Sequence, residues 1–234
     1  NVLSVLDYEK IKAGKMCHHI VCVLPFRASC DALESLLKRY SSYFKNLGSY
    51  EIINIAGLNR PKNLDDIQQV KARIKQFEAQ GKKTISLTVN RMLTGSTVEE
   101  WDTMLFLKDT SSPQEYDQAT FRLQSQYVRS LTSGNGDTIK YNMKPQTLLV
   151  DFSPSRMFCM QELKSKIYDV NIEQNGNSNL ENRIREELRI SPIVCVNAEN
   201  KLVEVTAADV MDEVRKYNES KSVMDEAQSI TIDN

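Results

Sequence analysis

A polar turn, Thr94 to Thr97, separates two apolar stretches of the chain. Its glycine, Gly95, permits a close approach of the backbone, and hydroxyls with exposed N–H groups suit a phosphate. Thr97 and Glu100 also have the spacing of a helix capping box, so the turn can equally be a simple strand-to-helix connection. The turn is therefore a candidate phosphate site that depends on support from residues elsewhere.

The segment SPQEYDQATFRLQS supplies a second candidate group. Ser112, Pro113 and Glu115 match the cap, first and third positions of a helix start. We therefore predict a helix from Pro113, with Gln118 and Arg122 on one face near its middle because they are four residues apart. A lone surface arginine is usually only solvated, so this pair gains weight from the turn and strand before it.

Cys17, His18, His19 and Cys22 lie close together and raise the question of a metal site. Neighbouring side chains on a strand point to opposite faces, which would scatter these ligands. We therefore expect a strand that enters the core here, and no metal.

Composition restricts the class of protein. The chain has 234 residues, of which 41% are hydrophobic and 26% charged, as in a globular protein and unlike a disordered one. Five cysteines without a CxxC pair favour a reducing compartment. Without a long apolar run or a signal-peptide pattern, we expect a soluble, cytoplasmic protein with no membrane partner.

Charge is distributed unevenly along the chain. Residues 196–234 are net acidic, so the remainder carries a small surplus of basic side chains. This surplus is a mild hint of a polyanionic partner, although ordinary solvated charge explains it better.

Short apolar strands alternate with helical segments through the first 170 residues. Strands are predicted at Ile20–Leu24, Tyr50–Ala56, Thr84–Val89, Thr103–Leu107 and within QTLLVDFSP. Helices are predicted after a Ser29 cap, over Leu64–Gln80, from Pro113, and from Pro154 to about Ile167. This alternation predicts an α/β fold, an open and mostly parallel sheet with helices on both faces.

A smaller part follows this α/β domain. The polar segment EQNGNSNLENR indicates a linker or long loop. We therefore predict a lobe over residues 1–172, a linker over 173–182 and a small α+β appendage over 183–234. Within the appendage, Thr206 is expected to cap a helix over Ala207–Tyr217.

The order strand, TVNRMLTGST, strand, SPQEYDQATFRLQS resembles motifs V and VI of superfamily 2 helicases, in their second, RecA-like motor lobe. HHIVCVLPFRASCDALESLL resembles motif IV, and KPQTLLVDFSPSR looks like the strand and turn that close this lobe. The likeness covers about residues 15–170. It is strongest to the helicase parts of restriction enzymes and to related phage or bacterial DNA translocases.

The resemblance implies roles for individual residues. Gly95 matches the motif V glycine, and Thr97 stands where an Asp or Asn is usual, in the nucleotide site. Gln118 and Arg122 match the Gln and first Arg of motif VI, so Arg122 is the implied arginine finger for phosphoryl transfer.

Several positions depart from the family pattern. Asn90 replaces a common Asp, Phe121 replaces the motif VI glycine, and Ser125 stands in place of the second arginine. Arg129 could substitute for that arginine if the helix extends two further turns.

The chain lacks the G-x-x-x-x-G-K-[ST] loop and an acidic pair for Mg²⁺. The resemblance places ATP and Mg²⁺ mainly on a first helicase lobe of the same polypeptide. Residues 1–234 alone are therefore expected to be inactive.

The resemblance also implies DNA as a partner, held by loops after the sheet strands. The expected contacts to the DNA backbone are Arg27, Ser29, Gly57, Asn59, Arg91 and Thr94. Trp101 could stack on a base, but a residue just before a buried strand more often lies at the edge of the core.

Two further hypotheses stay open. One is a non-enzymatic α/β domain that binds nucleic acid or protein and has degenerate helicase motifs. The other is a small-molecule enzyme on a Rossmann-like sheet, which ranks last because no G-x-G-x-x-G follows the first strand.

Overall fold

The structure is a computed structural model that describes residues 16–58, 66–89, 97–110, 112–132, 134, 136–167, 177–199 and 201–229. The strands β1 to β9 span His19–Leu24, Tyr50–Asn54, Lys83–Val89, Thr103–Phe106, Val128–Thr132, Thr138–Asn142, Leu148–Asp151, Val194–Val196 and Leu202–Glu204. The helices α1 to α6 span Arg27–Tyr40, Ile67–Ala79, Pro113–Phe121, Pro154–Ile167, Asn177–Ile190 and Ala207–Ser229.

Five strands form one parallel sheet in the order β2-β3-β1-β4-β7. The central strand β1 pairs with β3 through His19 and Thr84, and with β4 through Ile20 and Thr103. A parallel sheet needs crossover connections, which the alternating helices provide. The predicted α/β fold with a mostly parallel sheet is confirmed.

Helices cover both faces of this sheet because successive strand residues point to opposite sides. Ile85 and Leu87 of β3 pack in a cluster with Cys30 of α1. Ser86, between them, bonds to Trp101 on the other face. On that second face the carboxylate of Glu78, in α2, lies 4.0 Å from the ring of His19.

A β-hairpin, which the sequence analysis did not predict, lies between α3 and β7. Strands β5 and β6 pair antiparallel, with Val128 opposite Asn142 and Thr132 opposite Thr138. The main chain of Met143 donates to the carbonyl of Tyr127 at 2.8 Å and closes the open end of the hairpin. The loop sequence SGNGD contains an Asn-Gly pair, which is a hairpin signal.

Two helix ends differ from the predictions. Helix α1 begins at Arg27 with Phe26 as its cap residue, so Ser29 lies inside the first turn and the predicted Ser29 cap is wrong. Helix α3 does begin at Pro113 after Ser112, whose Oγ accepts from the N–H of Glu115 at 3.3 Å. It ends at Phe121 and gives way to a 3₁₀ turn, Arg122–Gln124.

Contacts divide the chain into one compact unit within Asp7–Phe152 and another within Ser153–Asn234. Helix α4 thus belongs to the second unit, although the predicted boundary after residue 172 assigned it to the first. Its Phe158 is buried with Leu180 and Ile184 of α5 and Val210 of α6. The second unit therefore has its own hydrophobic core.

The second unit also contains two short strands, β8 and β9, which pair antiparallel. Thr206 caps α6 as expected: its Oγ1 accepts from the N–H of Asp209 at 3.2 Å, and Asp209 accepts the N–H of Thr206 at 2.9 Å. Helix α5 begins at Asn177, inside the segment predicted as a linker. In the part of the chain that the structure describes, no helix has the length and apolar character needed to cross a membrane.

Candidate functional site

The structure describes the surroundings of six predicted site residues, which are Arg27, Ser29, Gly57, Thr97, Gln118 and Arg122. The others, Asn59, Arg91, Thr94 and Gly95, lie outside the described residues, as does Asn90. The site is therefore built from the loops at the carboxyl ends of β1, β2 and β4 and from helix α3.

Arg27 joins the loops that follow β1 and β2. Its Nε donates to the carbonyl of Ala56 at 2.9 Å, and its Nη2 donates to the carbonyl of Gly57 at 3.2 Å. The side chain is exposed, so two fixed hydrogen bonds orient a guanidinium that still meets solvent. Strand β3, which leads toward the turn that contains Gly95, lies between β1 and β2. A phosphate near this edge would therefore meet a positive charge in a defined position.

Gly57 has a packing role in the same place. It is buried, and its N–H donates to Asn54 Oδ1 at 2.7 Å, so this amide is not available for the predicted contact with DNA phosphate. A Cβ at this position would lie 2.1 Å from Asp31 Oδ1. Asp31 also accepts from the N–H of Leu58 at 2.8 Å. Glycine is required because side chains of α1 and β2 close on the backbone here.

Ser29 is half-buried in the first turn of α1, and its N–H donates to the carbonyl of Phe26 at 3.1 Å. Its backbone amide thus belongs to the helix. A contact between Ser29 and DNA would have to come from the hydroxyl and stays a prediction.

The segment from Thr97 to Trp101 forms a turn that enters β4 without a helix, so the capping-box alternative for Thr97 and Glu100 is wrong. Thr97 is exposed, whereas Trp101 is 1% exposed and donates from Nε1 to Ser86 Oγ at 3.1 Å. Trp101 is a core residue, as favoured from its position, and cannot stack on a base.

Ion pairs hold this turn against helix α2. Lys71 Nζ lies 3.0 Å from the carboxylate of Glu99, and Lys75 Nζ lies 3.5 Å from that of Glu100. The Glu100 side chain is fully buried. An ionised carboxylate in such a position needs its cation, since an unpaired buried charge is costly. The pairs therefore fix the entry to β4.

The start of α3 is fixed by the loop after β4. Glu115 accepts hydrogen bonds from Lys108 and Thr110 of that loop. These hydrogen bonds lower the pKa of Glu115 below its usual value of 4.5, and the bond from Lys108 has the larger effect. Tyr116, in the same turn, packs edge-on against Phe106 of β4 with ring centroids 5.0 Å apart. Helix α3 is thus anchored to the sheet at its first turn.

Gln118 and Arg122 lie farther along the chain than this anchored first turn. Gln118 is exposed near the middle of α3, while Arg122 lies one residue beyond its end, so the predicted position of Arg122 near the middle is wrong. Its backbone angles, φ −69° and ψ −22°, still continue the right-handed turn. Arg122 is half-buried, and burial lowers the pKa of its guanidinium below its usual value. The positive charge of Arg122 therefore lies about one helical turn after Gln118.

Arg129 cannot take the place of the missing second arginine by extending the helix, because it lies in β5. It forms an ion pair with Glu78 at the end of α2. The hydroxyl of Tyr127 also donates to Glu78 at 2.9 Å. Burial raises the pKa of Glu78, but the nearby His19 ring, the hydrogen bond from Tyr127 and the charge of Arg129 outweigh burial and lower the pKa overall.

His18 and His19 come together at the amino end of β1, contrary to the expectation that their side chains would be scattered. Their ring centroids are 4.6 Å apart, and His18 Nδ1 lies 3.2 Å from His19 Nε2. His18 precedes the strand, which explains the difference. Burial lowers the pKa of His18 to about 4, and the charge of His19 makes the second-largest contribution to this decrease. Cys22 instead belongs to the cluster under α1, on the other face.

Sequence reasoning missed two acidic residues that organise the amino edge of the sheet. Glu78 carried no signal, since it looked like an ordinary charge on an amphipathic helix. Asp102 accepts the N–H groups of His18 at 2.9 Å and His19 at 3.3 Å. An acidic residue at the buried start of a strand, directly after Trp101, was the available signal for Asp102.

Comparison with known proteins gives one informative similarity. No protein-family model matches this chain. The chain is 32% identical over 125 residues to a Mycoplasma pneumoniae protein whose name describes it as the C-terminus of a "putative type II restriction enzyme and methyltransferase". This match covers 53% of the chain and 17% of the relative. The chain is thus similar to part of a protein named for restriction and modification.

Proposed function

We propose that this chain acts as the second motor lobe of an ATP-dependent DNA helicase or translocase that belongs to a restriction-type enzyme. The observation that carries the proposal is the position of Arg122, half-buried directly after the Ser112-capped helix α3 and about one turn beyond Gln118. The parallel sheet supports it, because such a lobe presents its loops from the carboxyl ends of the strands. The similarity to a protein named as a restriction enzyme supports the restriction setting.

In this proposal Arg122 stabilises the negative charge that develops as the terminal phosphate is transferred. The guanidinium stays cationic at neutral pH despite its lowered pKa, because arginine does not lose its proton in proteins. Gln118 lies one turn before it and would orient the attacking water or a phosphate oxygen. Gly95 and Thr97 would complete the nucleotide side of the lobe. ATP and Mg²⁺ would be held mainly by a first lobe of the same polypeptide.

DNA would contact the same lobe through loops at the carboxyl edge of the sheet. Arg27 is the strongest described candidate, since its hydrogen bonds to Ala56 and Gly57 fix its guanidinium while leaving it exposed. Contacts of this kind bind the phosphate backbone and read no sequence. Closure of the two lobes on ATP and their release after hydrolysis would shift these contacts along the DNA.

The test is the exchange Arg122→Ala in the polypeptide that carries both lobes. We expect DNA-stimulated ATP turnover to fall by about 1000-fold or more, the range in which an arginine finger acts. ATP binding and DNA binding should change far less. Arg189→Ala is a matched control, because Arg189 is an exposed arginine in the second unit and pairs with nearby Glu186 on its own helix. Unchanged turnover in the Arg122→Ala protein would rule out the motor role.

A second candidate function is a non-enzymatic domain that binds nucleic acid or protein. It is favoured by the ion pair between Arg129 and Glu78, because an Arg129 held by Glu78 does not replace the second arginine of motif VI. In such a domain, Arg122→Ala would leave ATP turnover of the parent protein unchanged. Loss of DNA affinity in the Arg27→Ala protein would then identify nucleic acid as the partner.

A further inference from the structure

The amino edge of the first unit's sheet carries a group of ligand-type side chains that the proposed function does not use. Among the described residues, His18, His19 and Glu78 bring one ligand atom each to within 4.8 Å of the others. His19 and Glu78 are largely buried, with side-chain exposures of 3% and 10%. His18 is half-buried, so the group meets solvent on one side.

We propose that His18, His19 and Glu78 bind one transition-metal ion, with Zn²⁺ as the cation whose geometry fits them. Zinc holds imidazole nitrogens at about 2.0–2.1 Å, so two such ligands at a tetrahedral angle lie about 3.3–3.4 Å apart. His18 Nδ1 and His19 Nε2 are separated by 3.2 Å. Glu78 Oε1 lies 4.0 Å from His19 Nε2, and a small side-chain rotation brings it into range. The fourth position would be left to water.

Hydrogen bonds around His19 and Glu78 already have the arrangement that a metal site requires. His19 Nδ1 lies 2.9 Å from Thr84 Oγ1, so Nε2 is the nitrogen turned toward the proposed ion. Glu78 uses its other oxygen, Oε2, to accept from Tyr127 and Arg129. Outer partners of this kind hold first ligands in orientation, and their loss weakens metal affinity about 10–100-fold in known sites.

The backbone before β1 is bent in a way that places both imidazoles on one side. Cys17 has φ 55°, in the left-handed backbone region that residues other than glycine and asparagine seldom adopt. Asp102 holds the next two amide groups, and Thr103 Oγ1 accepts from the N–H of Cys17 at 3.0 Å. Backbone strain of this kind persists where the surroundings impose it, often at functional positions. Without the bend, His18 and His19 would face opposite sides of the sheet.

The metal-free alternative is a direct hydrogen bond between the two rings, with Glu78 acting only as an anchor for the hairpin. The positive charge of Arg129 would repel a metal ion, because Arg129 is bonded to the other oxygen of Glu78, Oε2. Its side chain is 40% exposed, and water reduces this repulsion. In the metal-bound form the ion would tie together the start of β1 and the end of α2. That role is structural and independent of the motor function.

Co²⁺ is the probe that separates these alternatives, because its visible absorption reports both geometry and ligand type. We expect the purified chain, treated with a chelator and dialysed, to bind one Co²⁺ with the intense visible bands of a tetrahedral site. No thiolate charge-transfer band should appear, since neither Cys17 nor Cys22 is a ligand. One equivalent of Zn²⁺ should displace Co²⁺ and raise the melting temperature of the chain.

Two variants test the ligands. Glu78→Gln and His18→Gln should each weaken Zn²⁺ binding at least 10-fold, whereas Cys17→Ser, a neighbouring control, should leave it unchanged. His18→Gln keeps a group that can hydrogen-bond to His19, so it should remain folded by circular dichroism even if His19→Ala does not.

Absence of one-to-one binding to the chain would overturn the proposal. A thiolate band, or Zn²⁺ affinity unaffected in the folded His18→Gln and Glu78→Gln proteins, would overturn it as well. In either case the cluster would be a hydrogen-bonded anchor for the hairpin.

Discussion

Arg27 and Ala56 are joined by a 2.9 Å hydrogen bond from the guanidinium Nε to the backbone carbonyl, which links the loop after β1 to the loop after β2. The same guanidinium donates to Gly57. Arg27 therefore has two separable properties, a positive charge at the carboxyl edge and a brace between two loops. A charge that contacts DNA phosphate and a charge that only braces the loops should respond differently to salt.

The first prediction uses that difference. If the proposed function holds, Arg27→Ala in the polypeptide that carries both lobes should weaken binding to a duplex oligonucleotide and reduce the slope of log K against log salt by about one, as loss of one phosphate contact does. Fluorescence anisotropy between about 50 and 200 mM salt measures the slope. Arg39→Ala, at the far end of α1, is the control and should leave it unchanged. A weaker affinity with an unaltered slope would show that Arg27 is only a brace.

The second prediction concerns Gly57. Alanine there would place Cβ 2.1 Å from Asp31 Oδ1 and 2.4 Å from Asn54 Nδ2, so the loop or both side chains must move. We expect Gly57→Ala to lower the free energy of unfolding by about 1–3 kcal/mol, the usual cost of overpacking. Urea denaturation followed by circular dichroism measures the change.

Gly134→Ala is the control for this substitution, because a Cβ at Gly134 meets nothing within 4 Å. Its effect should stay within about 0.5 kcal/mol, as for most surface changes. Equal stabilities of the Gly57→Ala and Gly134→Ala proteins would contradict the packing role of Gly57.

The third prediction tests the burial of Trp101. Trp101→Phe removes the hydrogen bond to Ser86 Oγ and leaves a buried hydroxyl without its donor. We expect a loss of about 1–3 kcal/mol in the free energy of unfolding. Ser86→Ala removes the partner instead, so the double variant should cost less than the two single changes combined. Strictly additive effects would mean that the indole and the hydroxyl do not interact.

Trp101→Phe also tests whether the indole of Trp101 contacts DNA. Because Trp101 is 1% exposed, Trp101→Phe should leave the affinity of the two-lobe protein for single-stranded DNA unchanged after correction for folded protein. A large specific loss of affinity would require the indole to stack on a base.

The fourth prediction is a pH dependence set by Lys144. This residue is 5% exposed, and its Nζ donates to the carbonyls of Glu99 and Trp101 at 2.8 and 2.9 Å. Burial lowers its pKa from 10.5 to about 8, although the charges of Asp102, Glu100 and Glu99 raise it. Between these two pKa values the unfolded chain binds a proton that the folded chain has released. The free energy of unfolding should therefore rise with pH across this interval.

Lys144→Met measures this contribution as a difference. Other lysines, tyrosines and cysteines titrate in the same range, but they are shared by both proteins and largely cancel. Relative to Lys144→Met, the unaltered chain should gain stability between about pH 8 and pH 10. A parallel pH profile for the two proteins would show that the ammonium group is not destabilised by burial.

The strands and helices of the first unit were predictable because local patterns specify them. Apolar runs gave β1, β2 and β3 within one or two residues, and the Ser112-Pro113 start gave α3. The end of α3 was not predictable, since QATFRLQS continues as good helical sequence whereas the helix ends at Phe121. The hairpin β5–β6 was missed, although its Asn-Gly loop was a usable signal.

The sequence by itself determined the parallel α/β architecture and the likeness to helicase motifs V and VI, because hydrophobic periodicity, caps and short motifs are local properties. Only the tertiary structure decided which polar groups meet. Arg27 reaches Ala56, Arg129 reaches Glu78, and His18 meets His19 because strand order and a left-handed Cys17 bring distant or opposed side chains together. Such contacts depend on three-dimensional proximity, which no spacing along the chain encodes.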